Sequence, residues 1–177
     1  VILFSNYEVV KSLNFEDYRL FGNLEQTISV FNSRNVDEII ILDIDASKKN
    51  KKVDSNVLKI LSRESLMPLT YGGGLKNLQD IEECLKNGCD KVSINTEFLK
   101  NPRFIYESSK NFGSQCIVSS IDYKIVEGKF KIFSHSENKI LDKDIFEYIK
   151  ILQDSGTGEI LLNSVDNDGK MLGYETS

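Results

Sequence analysis

The sequence predicts an α/β fold, a (β/α)8 barrel of which this chain supplies about the first six βα units. Short β-branched runs alternate with helix-patterned stretches along its length. The strand runs, Glu38 to Leu42 for example, are apolar almost throughout instead of alternating, as parallel strands covered on both faces are. A weak internal repeat aligns Glu38–Asp45 with Glu159–Asp166: acid, three aliphatics, two variable positions, aliphatic, acid. The repeat matches the second strand with the sixth, the four-unit offset that two fused half-barrels leave. A barrel with a filled interior takes eight strands, so six are an incomplete set.

The strands are expected at Val1–Phe4, Ile39–Ile44, Leu69–Tyr71, Lys91–Ile94, Cys116–Ile121 and Glu159–Leu162. Helical periodicity falls between them, at Leu24–Asn32, Ser55–Leu61, Leu78–Leu85, Pro102–Asn111 and Asp144–Gln153. The helix from Leu78 has Asn77 as its cap and Asp80 three residues on, with Asn87 and Gly88 as its stop. Pro102 follows Asn101 at a first-turn position, where its missing N–H does no harm. Tyr123–Val126 and Lys129–Phe133 flank Glu127–Gly128, a hairpin inserted at about 123–133 after the fifth strand. Its polarity predicts a decoration of the C-terminal face of the sheet, outside the core.

With 177 residues, 40% hydrophobic and 28% charged, the chain has the composition of one globular domain. No apolar run reaches the ~20 residues of a membrane span, and the start lacks a signal-peptide pattern. A net charge of -5 argues against nucleic acid as a partner. The four lysines between Lys48 and Lys52 read as a solvated loop. Cys84, Cys89 and Cys116 form no metal-type pair and fit buried thiols in a reducing cytoplasm. His135, the sole histidine, has no Cys or His near it in sequence, which disfavours a zinc site or a Ser-His triad. The chain opens on Val1 and stops in a polar turn, so a fragment of a longer protein is expected, cut before strands seven and eight.

Three strand-end loops carry anion-binding character. Tyr71–Leu75 holds three glycines between a strand and a helix, where backbone N–H groups can face a phosphate; a tight turn is the alternative. Asn95 and Thr96 offer an amide and a hydroxyl after the fourth strand, or serve only as helix caps. Asp166–Lys170 is a polar loop with Gly169 after the sixth. Among carboxylates at strand ends, Asp122 is the best candidate acid or base, and tying down the insert is its structural alternative. Asp43 and Asp45 would share a face by strand alternation, but no further metal ligands accompany them. Glu38, Lys91 and Glu159 stand at strand starts, where charges serve stability or close the barrel floor.

Together these residues resemble the cyclase (synthase) subunit family of imidazole glycerol phosphate synthase, a histidine-pathway enzyme that works with a glutaminase. The likeness covers Val9–Lys11 with Asn14–Phe15, Asp37–Glu38, Leu42–Ile44 and Ala46–Ser47, Gly72–Gly74, Asp90–Thr96, Phe112–Gln115, Ile121–Asp122, Gly158–Leu162, Asp168–Gly169 and Gly173–Tyr174. The strings Asp-Lys-Val-Ser-Ile-Asn-Thr and Gly-Glu-Ile-Leu-Leu are its most specific parts. The resemblance implies a TIM-type barrel of the ribulose-phosphate-binding kind, without metal or organic cofactor. It also implies a phosphorylated small-molecule substrate and a cytoplasmic heterodimer with the glutaminase. Gly74, Asn95 and Thr96 would hold one substrate phosphate, and Asp168 with Gly169 would begin the site of the other. Asp122 matches one of two catalytic aspartates. Glu38, Lys91 and Glu159 match a charged gate through which ammonia enters the barrel, the gate's arginine falling before Val1. Asp90 matches a residue that faces the glutaminase.

One departure stands out. Counting back from Val9–Lys11, the family's second catalytic aspartate falls on Leu3, its following lysine on Ser5 and an Asp-Gly turn on Asn6 and Tyr7. Ring closure needs proton transfer at two places, and a leucine moves no proton. Leu3, with Phe21–Gly22 in place of a Gly-Asp-Pro loop, resembles paralogues that serve bacterial surface-polysaccharide synthesis beside an N-acetyl-sugar amidotransferase. The resemblance to them implies delivery of ammonia for sugar amidination. The cyclase itself is the alternative if another acid substitutes, Glu8 being the one nearby, and a non-catalytic activator of the glutaminase is a third.

Overall fold

The computed structural model describes residues 1–13 and 16–171; Asn14, Phe15, Gly173 and Tyr174 of the family resemblance lie outside them. Six strands run parallel and pair in sequence order: β1 (Ile2–Ser5), β4 (Ile39–Asp43), β5 (Leu69–Gly72), β6 (Lys91–Ile94), the first part of β7 (Ile117–Val126) and β10 (Glu159–Ser164). Helices α1 (Leu24–Ser33), α2 (Ser55–Glu64), α3 (Leu78–Lys86), the short α4 (Thr96–Lys100), α5 (Arg103–Phe112) and α6 (Ile145–Asp154) lie between them in sequence. Sequential parallel staves with helical crossovers are the (β/α)8 barrel order. Among the described residues no helix is long and apolar enough to cross a membrane.

Side chains alternate across each stave, so the register divides them between two faces. One set, Ile41, Tyr71, Val92 and Ile117, is buried in a single cluster with Ile28, Leu58, Leu61, Ile81 and Ile105 from the helices. The other set is Leu3, Leu42, Gly72, Ser93, Val118, Ser120 and Asp122, with Glu159, Leu161 and Asn163 on β10. It includes the small polar side chains and the candidate acid. Cys84 and Cys89 are buried free thiols, and a thiol–thiol hydrogen bond and burial hold the Cys84 pKa up.

Caps close the helices as the sequence demands. Asn77 accepts from the Asp80 N–H at 3.0 Å while Asp80 accepts from the Asn77 N–H, a reciprocal box at the start of α3. Asn23, Asp54 and Asp144 cap α1, α2 and α6.

Two features depart from the expected layout. After β1 the chain forms an antiparallel pair, β2 (Glu8–Leu13) and β3 (Glu16–Asn23), where no strand was expected. Val9 and Val10 are buried on it. The insert is also larger than 123–133 and belongs partly to the core. Lys129–Ser134 (β8) is followed by a third strand, Lys139–Asp144 (β9), and Tyr123, Ile132 and Phe133 are buried. Phe130 meets Tyr123 edge-on at 5.5 Å and Phe146 of α6 at 6.3 Å, which welds the insert to the barrel. The alternating lysines of β8 masked this apolar side in the sequence.

Asn77→Ala should lower unfolding stability by about 1 kcal/mol, the usual loss of a cap. Gly158→Ala should cost more, because its Cβ would lie 2.2 Å from the rigid Ser114 carbonyl oxygen. Denaturant midpoints of the two variants check the order.

Candidate functional site

At the starts of the staves, three charged side chains from β4's approach, β6 and β10 converge. Lys91 Nζ donates to Glu38 at 2.8 and 3.1 Å and to Glu159 at 2.6 Å. Thr70 Oγ1 donates to the same Glu38 carboxylate at 3.1 Å. Lys91 is 19% exposed, and its bonds to Glu159 and then Glu38 push its ammonium pKa up. Asp90, beside it and exposed, accepts from the Leu69 N–H at 2.8 Å, so its carboxylate also pins β5.

At the opposite ends, β7 delivers Asp122 into a cavity of about 140 Å³ whose walls include Leu3, Leu42, Gly74, Asn95, Thr96 and Asn163. Asp122 is 4% exposed. Asn95 Nδ2 donates to its Oδ2 at 2.7 Å, and Asn163 Nδ2 to its Oδ1 at 3.0 Å. Burial pushes the Asp122 pKa up to about 6, against the pull of the two amides and with some help from the Asp168 charge. A carboxyl with that pKa exists in both protonation states near neutrality, which suits an acid or base.

The glycine loop is shaped by sterics as well as by any ligand. Gly73 has φ 111°, and a Cβ there would stand 2.3 Å from the Asp43 carbonyl oxygen. Gly74 has φ 73° and would press on Ala46 at 2.8 Å. Asn95 makes no side-chain cap to α4, since its amide goes to Asp122. Asp43 and Asp45 do not form a pair: β4 ends at Asp43, which accepts from the Asp45 and Ala46 N–H groups at 2.9 and 3.0 Å. Asp45, in the turn, accepts from Ser5 at 2.7 Å and Lys49 at 2.9 Å. Asp168 and Gly169 border a second, larger space of about 850 Å³ that shares Leu3, Leu42 and Asn163 with the first. Ser12 Oγ donates to Asp168 at 2.5 Å, which ties that loop to β2.

Three residues escaped the sequence reading. His135, just past β8, lines the Asp122 cavity with Nε2 3.7 Å from Asp122 Oδ2. Its partner is a carboxylate across the hairpin, and a search for nearby Cys or His could not find it. Extending the strand pairing back from Glu127–Gly128 sets Phe133 opposite Asp122 and puts His135 on the same face, diagonal to it. Asn163 was visible only as a variable position of the repeat, aligned with Leu42, and both reach the cavity. Lys48 also lines the cavity, although its loop reads as solvated. Glu8, the substitute acid considered for Leu3, is exposed on β2 and outside the cavity wall.

The family model described as histidine biosynthesis protein matches residues 2–177. A Campylobacter jejuni protein provisionally named imidazole glycerol phosphate synthase subunit hisF2 is 44% identical over 174 residues, 98% of this chain and 69% of the relative. A Vibrio vulnificus protein with the same provisional name is 41% identical over 94% of this chain and 61% of its own length. A Leptospira borgpetersenii protein, provisionally named subunit HisF, is 35% identical over 99% of this chain and 70% of its own. The chain spans between 61% and 70% of these relatives.

A pKa of about 6, against 3.8 for a free aspartate, costs the folded state about 3 kcal/mol once Asp122 is ionised. Its contribution is therefore fully present below the ordinary carboxyl range and lost as pH rises through about 6. Carboxyl-carbon NMR should find one aspartate titrating near 6. In Asp122→Ala the loss of stability between pH 5 and 7.5 should be smaller than in the wild type.

Proposed function

The chain belongs to the histidine biosynthesis protein family, as a relative of the imidazole glycerol phosphate synthase cyclase subunit, and we propose that it is the barrel subunit of a glutamine-amidotransfer system specialised for delivering ammonia. A glutaminase docks at the stave starts beside Asp90, and two further βα units complete the barrel between β1 and β10. The Lys91 ion-pair cluster is the gate, and ammonia passes inward along the stave face that carries Thr70, Ser93 and Ser120. Gly74, Asn95 and Thr96 hold one phosphate of the reactant or effector, and Asp168 with Gly169 begin the second site.

The observation that carries the reading is the pairing of a bonded Glu38–Lys91–Glu159 cluster with Leu3 on the wall of the Asp122 cavity. Three of the entrance charges are present, while one of the two proton-moving positions is aliphatic. Loss of one such group lowers a rate by about 10²- to 10⁴-fold. Delivery needs the gate and the glutaminase contact but not the second acid. The recipient is a sugar-modifying amidotransferase that converts an acetamido to an acetamidino group, in a cytoplasm that keeps the three thiols reduced.

A second reading, the ring-closing cyclase itself, draws on one observation: His135 places another titratable group 3.7 Å from Asp122. Activation of the glutaminase without conduction is distinguished by the gate.

In the reconstituted complex of full-length protein, glutaminase and amidotransferase, Lys91→Ala should leave glutamine hydrolysis within about threefold of wild type. Glutamine-dependent product should fall about tenfold or more while free ammonium accumulates, and Lys91→Arg should recover part of it. Unchanged transfer in Lys91→Ala would remove the gate from the account.

A further inference from the structure

Lys48 and His135 come from segments distant in sequence, the turn after β4 and the turn after β8, yet both line the Asp122 cavity. Ser47 and Ser136 line it beside them and offer hydroxyl donors. The imidazole stands edge-on to Phe133 at 4.7 Å between ring centroids, and Lys124 Nζ lies 4.7 Å from the centroid of that same ring. Lys48 Nζ lies 5.5 Å from the Tyr18 ring centroid. Aromatic faces thus anchor two ammonium groups near one histidine.

The field at that histidine is positive. Burial, then the charges of Lys48 and Lys124, push the His135 pKa down to about 4, and Asp168 opposes them. Asp122 approaches from β7 and Asp43 from the end of β4, and burial pushes both of these carboxyl pKa values up. An anion entering the cavity changes the balance of every one of these groups. It cancels the lysine charges felt by His135, so the imidazole's affinity for a proton rises and it becomes a third cation at a higher pH than in the empty cavity. It also favours the protonated forms of Asp122 and Asp43, which removes repulsion.

We propose that Lys48 and His135 form a cationic wall of the phosphate subsite, and that a phosphate monoester binds there with uptake of a proton by His135. The inference rests on the reading of this cavity as a phosphate subsite and adds to it two side chains and a proton. By linkage, whatever the anion does to the proton affinity of His135, the proton does equally to the affinity for the anion: a midpoint raised by one pH unit means tenfold tighter binding to the protonated form. The subsite would then favour phosphate as pH falls.

His135 is the sole histidine of this sequence, and its imidazole resonances in the full-length protein are assigned as those that disappear in His135→Gln. They are followed from pH 7.5 to 4.5 with inorganic phosphate, with sulfate, and with chloride at matched ionic strength. Sulfate does not titrate in this range, so it separates the protein's proton from the ligand's. Phosphate and sulfate should each raise the His135 midpoint by about one unit or more over chloride. Lys48→Gln, a change at an exposed residue, should weaken binding of both ions about fivefold. If the amide resonances of Gly73 and Gly74 respond to the ions while the His135 midpoint stays with chloride, the proton-coupled wall is wrong and the phosphate subsite stands. If neither the glycine amides nor His135 respond, the subsite reading falls and takes this inference with it.

Discussion

The buried carboxyl of Asp122 is the constraint on which the rest of the candidate site depends. A carboxylate at 4% exposure must find hydrogen-bond donors, and it finds them on the two staves beside its own. Asn95 at the end of β6 and Asn163 on β10 both turn their amides to it. Three consecutive strand ends are thereby fixed relative to one another by one side chain. The same demand explains why Asn95 gives up the capping role its position would otherwise assign it. Burial outweighs the two amides, so the group that organises the site is also the one whose proton is exchangeable near neutrality.

The opposite end of the staves solves a different problem. Glu38 and Glu159 would repel each other across the barrel floor, and Lys91 lies between them with bonds to both. Such a cluster is partly exposed and adds little to stability for its charge. Its geometry is more informative than its energy: Lys91 on β6 holds carboxylates from β4's approach and from β10, each two staves away, so one side chain spans the floor. Between floor and cavity, the inward face is small and hydroxyl-bearing at Thr70, Ser93 and Ser120. Leu3 then closes one wall of the cavity with methyl groups, where hydrophobic contact is all it can supply.

Much of this was legible in the sequence because backbone rules carried it. Parallel staves buried on both faces must be apolar, so Ile39–Leu42 and Leu69–Tyr71 announced themselves, and Asn77 with Asp80 announced a helix start. Asp122, Gly74, Asn95 and Thr96 were placed at strand ends by where the apolar runs stop, and all four line one cavity. Glu38, Lys91 and Glu159, far apart in sequence, could be grouped because each stands just before or at the start of a stave. What escaped depends on contacts between segments. β2 and β3 bury few side chains, so their periodicity was weak. The insert hides its apolar side behind alternating lysines, and His135 reaches Asp122 only through that insert's pairing. Lys48 sits in a run whose composition reads as solvent-facing, while one of its members turns to the cavity.

The central claim is that an aliphatic side chain at position 3 disables ring closure and leaves ammonia delivery in place. It is tested most directly by supplying purified full-length protein with free ammonium and the phosphorylated imidazole precursor, bypassing any glutaminase. The wild type should form cyclised product at least about 100-fold more slowly than Leu3→Asp, the cost of a missing acid or base. Rapid cyclisation by the wild type, unimproved by Leu3→Asp, would contradict the account.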